Sequence, residues 1–211
     1  VADIGSVATI QTLLDARTLW HAGRQASVAD DGEPSGHAPL DRLLPQGGWP
    51  RRALTELLLP ADGVGELALL MPTLARLTQT AATVAVIAPP YLPYAPAWQA
   101  AGIDLAHLQI IDATPRDGLW AFEQCLRSGA CAAVLGWPQQ ASAPSLRRLQ
   151  VAADSGDCLG FAFRDHAHAA NPSPAALRLL RTAPAAGTPA WQILKCRGGP
   201  APAQRFVIEA G

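Results

Sequence analysis

Five apolar runs, ALTELLL (53–59), TVAVIA (83–88), LQIIDA (108–113), CAAVLGW (131–137) and CLGFAF (158–163), alternate with segments of helical periodicity. No other feature restricts the fold as much. CAAVLGW is apolar throughout, as a strand buried on both faces should be. Strands alternating with helices require crossover connections, which give a mostly parallel sheet covered by helices on both sides. Between the first two runs, Leu67, Leu70, Met71, Leu74 and Leu77 share one face of a helix predicted from about Gly65 to Thr78, with Pro72 kinking it. A second helix is predicted over 115–129, with Leu119, Phe122 and Leu126 inward and Gly129 as its stop. A third begins after Ser142 or Ser145, and a short one ends at Gly102. Beyond Arg164 comes a loop, HAHAANPSP, and then three closing strands, LRLLRTA, WQILKC and RFVIEA, expected to be antiparallel. Upstream, Val7, Ile10, Leu13, Leu14 and Trp20 fall near one face of a helix, and 23–36 is polar and glycine-rich like a linker. The division is therefore an N-terminal helix and linker (1–34) and a core domain with a C-terminal extension (35–211).

Composition narrows the function. A net charge of −1 does not suit binding nucleic acid by neutralising phosphates, so DNA is expected to be touched weakly at most, or through a partner. Four cysteines without a C-x-x-C spacing read as small buried hydrophobes of a reducing cytosol. No signal-peptide pattern opens the chain, and no apolar run reaches the ~18 residues a membrane helix needs, so a cytoplasmic protein without membrane association is expected.

The stretch PADGVGELALL (60–70) follows the first strand and opens a helix, where a phosphate loop of the form G-x-x-x-x-G-K-[ST] would stand. On that template Pro60 replaces the first glycine, Gly65 is kept, Glu66 replaces the lysine and Leu67 the magnesium-binding hydroxyl. Gly63 and Gly65 can still offer N–H groups, but Asp62 and Glu66 place negative charge where phosphate must sit. Lys195, the only lysine, lies far along the chain. No nucleotide, metal or other cofactor is expected. The Glu66 carboxylate reads as a favourable charge in the first turn of the helix. Asp112 reads as a cap or turn residue before 115–129, and His166 and His168 as a solvated pair. Ser142 and Ser145 have no triad partners. Arg51, Arg52, Arg147 and Arg148 read as solvated faces. The tract PPYLPYAPAW (89–98), with Tyr91, Tyr94 and Trp98, is either a stiff contact surface or packing over the sheet edge.

The segment SGHAPLDRLLPQGGWPRRALTELLLP (35–60) resembles the approach to the phosphate loop of the RecA recombinase core, through Ser35-Gly36, Leu40-Asp41 and Gly47-Gly48-Trp49-Pro50. The runs IAPPYLPYAPAWQAAGIDLAHLQII, CLRSGACAAVLGWP, LRRLQVAA and LGFAFR, the closing ILKCRGGPAPAQRFVIE and the opening LLDARTLWHAGR are similar to ImuA, the RecA-like family of damage-induced translesion DNA synthesis. That resemblance implies a RecA-like core without ATP chemistry. Its partners would be ImuB (an inactive Y-family polymerase relative), RecA and an error-prone DNA polymerase complex. On the RecA core the catalytic glutamate would fall in Ala88-Pro89-Pro90 and the buried aspartate at Gly136-Trp137, so both are replaced. Binding is then expected through surfaces and not a pocket: the N-terminal helix (Leu13, Leu14, Trp20), the aromatic tract (Tyr91, Tyr94) and the C-terminal segment from about Arg181, including Arg197. A sister family, SulA, the SOS-induced inhibitor of the division protein FtsZ, shares the ATP-incompetent core and an I-A-P-P strand end. It is usually shorter, so length and the K-C-R-G-G tail favour ImuA.

Overall fold

The computed structural model describes residues 32–182 and 190–208. Its centre is one sheet of eight strands: β1 (Ala53–Leu59), β2 (Val84–Ile87), β3 (Leu108–Ile111), β4 (Ala133–Gly136), β5 (Leu159–Asp165), β6 (Leu177–Thr182), β7 (Ala190–Cys196) and β8 (Arg205–Phe206). Their order is β3-β2-β4-β5-β1-β6-β7-β8, and only β7 runs against its neighbours. Every residue of β1, β2 and β4 is buried, as the apolar runs require.

Among the described residues five α-helices cover the sheet: α1 (Ala38–Leu43), α2 (Met71–Gln79), α3 (Ala95–Ala100), α4 (Pro115–Arg127) and α5 (Ala143–Ser155). One face packs Leu40 of α1, Leu74 of α2 and Trp98 of α3 against Leu57, Val86 and Phe161. The other packs Phe122 and Leu126 of α4 and Leu149 of α5 against Leu54, Ala85 and Val134. The expected mostly parallel α/β architecture, with helices on both faces of the sheet, is present.

Several expectations are corrected. The helix from Gly65 to Thr78 is two elements, a 3₁₀ turn at Glu66–Leu69 and then α2. Pro72 lies in the first turn of α2, where its missing N–H has no partner to lose, and so it starts a helix instead of kinking one. The closing strands are not all antiparallel: β6 adds to β1 in parallel and β7 alone is reversed. The loop after Arg164 contains a 3₁₀ turn, His166–Ala170. The final residues of the polar 23–36 stretch are folded, since Glu33 bridges to Trp49 and its carboxylate takes both Arg51 and Arg76. The helix predicted over 7–22, with Leu13, Leu14 and Trp20, lies outside the described residues.

The residues that carried the RecA resemblance form one structural knot. The Ser35 N–H donates to Asp41 Oδ1 at 3.0 Å, and Trp49, fully buried, donates from Nε1 to Thr73 Oγ1 at 2.9 Å. Gly48 admits no side chain, because a Cβ there would lie 2.3 Å from the Glu33 carbonyl oxygen.

Candidate functional site: the substituted phosphate loop and the cavity beside it

The loop leaving β1 turns through Gly63 and Gly65, at φ 75° and 82°. These left-handed values suit glycine. Glu66 does more than face the helix dipole. Its side chain is 3% exposed, and Oε1 accepts the Gly63 N–H at 3.0 Å. A carboxylate of the chain thus holds an N–H that a phosphate oxygen would take in a working loop. Oε2 is buried without a hydrogen-bond partner among the described residues. Leu67 turns into the core, and Pro60 stays exposed. Burial first, and then the charges of Glu66 and Asp165, push the Asp62 carboxyl above its ordinary range. The guanidinium of Arg181 lies 3.8 Å from where a Gly65 Cβ would be and 5.5 Å from the Trp191 ring centre. Desolvation lowers its pKa, while the Glu66 carboxylate acts the other way.

Beside the loop is a cavity of about 480 Å³, which the expectation of surfaces without a pocket did not include. Its floor is the ends of β2 and β4, at Ile87, Ala88, Gly136 and Trp137, and Leu119 and Phe122 of α4 form a wall. Gly136 is required there, because a Cβ would fall 2.7 Å from the Phe122 ring. The location follows from topology. The chain leaves β2 through α3 on one face of the sheet and leaves the adjacent β4 through α5 on the other. Adjacent strands whose connections diverge leave a crevice at their carboxyl ends, the usual ligand position in open α/β sheets. Ala88, Pro90, Gly136 and Trp137, none of them acidic, border this crevice.

A buried ion network pins the loops around the cavity. Glu56, fully buried in β1, accepts Arg164 Nη1 of β5 at 2.8 Å and Arg178 Nε of β6 at 2.7 Å. Arg164 also donates to the carbonyls of Pro138 and Ala141, and Arg178 to those of His168, Ala169 and Asn171. The network was missed in sequence. Its signal was one acid and two arginines, each inside an otherwise apolar strand.

Other candidates fall as follows. Tyr91 and Tyr94 are 66% and 70% exposed, while Trp98 is buried, so both readings of the aromatic tract hold for different residues. The Tyr91 ring comes within 3.4 Å of the Cβ position of Gly63, which joins the tract to the loop. Arg197 is not part of this site. It follows β7 at the opposite end of the sheet, where Nη2 donates to the Arg51 carbonyl at 3.1 Å. Thr114, not Asp112, caps α4, and Ser142 caps α5. Arg51, Arg52 and Arg148 pair with Glu33, Asp154 and Glu123. His168 bonds the Gln139 carbonyl and Asn171, and no group of side chains suited to a metal exists among the described residues. Cys158 and Cys196 are buried and Cys125 and Cys131 half-buried, and burial raises the pKa of all four thiols. None of the described helices is long and apolar enough to cross a membrane.

Fold and site together define an α/β domain with a mostly parallel sheet, in which the loop after β1 is closed by its own carboxylate. No family model matches the chain, and no curated protein matches it. Among solved structures, the crystal structure of SulA from Pseudomonas aeruginosa is similar at 25% identity, covering 52% of this chain and 96% of that one, with a TM-score of 0.45.

Proposed function

We propose that this chain is a non-catalytic RecA-like accessory protein of SOS-induced translesion DNA synthesis, acting through contacts with an ImuB-like protein, RecA and an error-prone polymerase complex. The observation that carries the reading is the Glu66 carboxylate on the Gly63 N–H. A nucleotide phosphate would meet a buried negative charge there, with no lysine to offset it. Ala88 and Gly136-Trp137, at the positions of the RecA catalytic acids, support the same conclusion. What remains at the carboxyl ends of the strands is a contact surface, with Tyr91, Leu92 and Tyr94 exposed on a proline-stiffened loop. The choice of the translesion assembly rests on the ImuA-like motifs along the sequence.

The experiment is a label-free titration of the purified protein against RecA, the ImuB C-terminal region and FtsZ at two salt concentrations, which separates docking from charge attraction. Salt-tolerant binding to ImuB or RecA with FtsZ silent is the expected result. Binding to FtsZ alone would make the chain a SulA-like division inhibitor and overturn the assignment.

A further inference from the structure

Three of the four cysteines stand at one corner of the sheet. Cys125 is in the last turn of α4, Cys131 lies two residues before β4, and Cys158 immediately precedes β5. Topology brings them together, because β4 and β5 are neighbours and α4 leads directly into β4. The connection between Cys125 and Cys131 is a tight reversal. Ser128 Oγ donates to the Cys125 carbonyl at 2.8 Å and accepts the Ala130 N–H at 3.1 Å, with Gly129 at φ 69° between them. The end of α5 closes over this turn: Gly156 admits no side chain, because a Cβ there would run into the Leu126 carbonyl. Cys125 and Cys131 both pack on the apolar cluster that holds Leu126, Val134 and Cys158.

The three thiols differ in what they can do. Cys158 is 1% exposed, its Sγ donates to the Leu159 carbonyl, and burial holds its proton on. Cys125 and Cys131 are half-buried, and their side chains hydrogen-bond to each other. Burial favours the neutral thiol at both. At Cys131 alone the Ser128 hydroxyl and the Cys125 thiol act the other way, which makes it the better thiolate of the two. Among the described residues no group of side chains suited to a metal includes them. Two thiols in mutual contact across a stiff turn are arranged to exchange their hydrogens for a bond.

We infer that Cys125 and Cys131 are a dithiol site that closes to a disulfide by exchange with a small disulfide such as oxidised glutathione, tying the last turn of α4 to the entry of β4. The Cys131 thiolate attacks one sulfur of the oxidant, forming a mixed disulfide and releasing one thiol, which takes up the Cys131 proton. The Cys125 sulfur then attacks the Cys131 sulfur, forms the internal bond and expels the second thiol, which takes up the Cys125 proton. The chain loses two hydrogens and the oxidant becomes two thiols. The inference does not depend on the adaptor reading. Its test uses the spacing of basic residues, because trypsin places each cysteine on its own peptide: 117–127, 128–147, 149–164 and 196–197. The folded full chain is incubated with oxidised glutathione at about 10 mM, blocked with N-ethylmaleimide and digested without reductant. Peptides 117–127 and 128–147 should appear joined and should separate on adding dithiothreitol. Cys125→Ser should stop at the mixed disulfide on Cys131, which the unmodified chain should hold at least about tenfold less of. Separate glutathione adducts on the two peptides, a bond from either to Cys158, linkage seen only in urea, or no reaction at all would overturn the inference. If Cys125→Ser does not fold, the peptide map of the unmodified chain decides alone.

Discussion

Glu66 holds the Gly63 N–H in the loop after β1, and the nearby Asp62 feels its charge. Asp62 is held above its ordinary value of 3.8 by partial burial, then by Glu66 and Asp165. A carboxyl raised in this way binds protons more readily in the folded chain than in the unfolded one. Its contribution favours the fold at low pH and is lost as the pH rises from the unfolded value through the folded one. Asp62→Asn should therefore raise Tm at pH 7, with the gain shrinking toward pH 4, as melting curves across that interval would show. An unchanged Tm at pH 7 would mean that solvent screens the repulsion.

Glu56→Gln keeps the shape but leaves Arg164 and Arg178 buried without their counter-charge. A loss of about 3–5 kcal/mol is expected in urea unfolding. Replacing all three residues by apolar groups of similar volume should recover much of that loss, because the desolvation cost then disappears. Sequence showed the three charges but not that they converge: Glu56 and Arg178 are 122 residues apart, and only strand register makes them neighbours.

At the scale of elements, Pro72 separates two readings of one segment. A proline inside a continuous helix costs about 3 kcal/mol, so Pro72→Ala would give back nearly that much. In the first turn of α2 the same substitution should change stability by less than about 1 kcal/mol in chemical denaturation. On α4, Thr114→Ala removes the side chain that accepts the Asp117 N–H and should cost about 1 kcal/mol. The strands and helices of the parallel part were legible because their periodicity is local. The 3₁₀ turn before α2 was not, since its side chains keep helical spacing and only the hydrogen bonds change. The direction of β6 was equally hidden. The connection from β5 carries the His166–Ala170 turn, whose carbonyls accept from Arg178, and returns the chain so that β6 enters in parallel.

Taken whole, the molecule has a sheet with different work at its two ends. The carboxyl ends of the parallel strands gather the Glu66 loop, the exposed aromatics and the cavity, whereas Arg197 and the Glu33–Trp49 bridge lie at the other end. The glycine turn between β1 and the next helical element was readable from Gly63 and Gly65, whereas the Glu66 hydrogen bond to the Gly63 N–H was not. The cavity was not readable, because its floor comes from strands distant in sequence and depends on where the crossovers diverge. With a net charge of −1, binding to single-stranded DNA should vanish at physiological salt, which a fluorescence-anisotropy titration would check.

The most direct test of the account is calorimetric titration of ATP with Mg²⁺ into the purified chain, alongside Glu66→Ala. With Glu66 holding the Gly63 N–H and no lysine in the loop, neither protein should give a saturable heat. Saturable binding by the unmodified chain, weakened by Gly63→Val in the loop, would show a working nucleotide site and contradict the account.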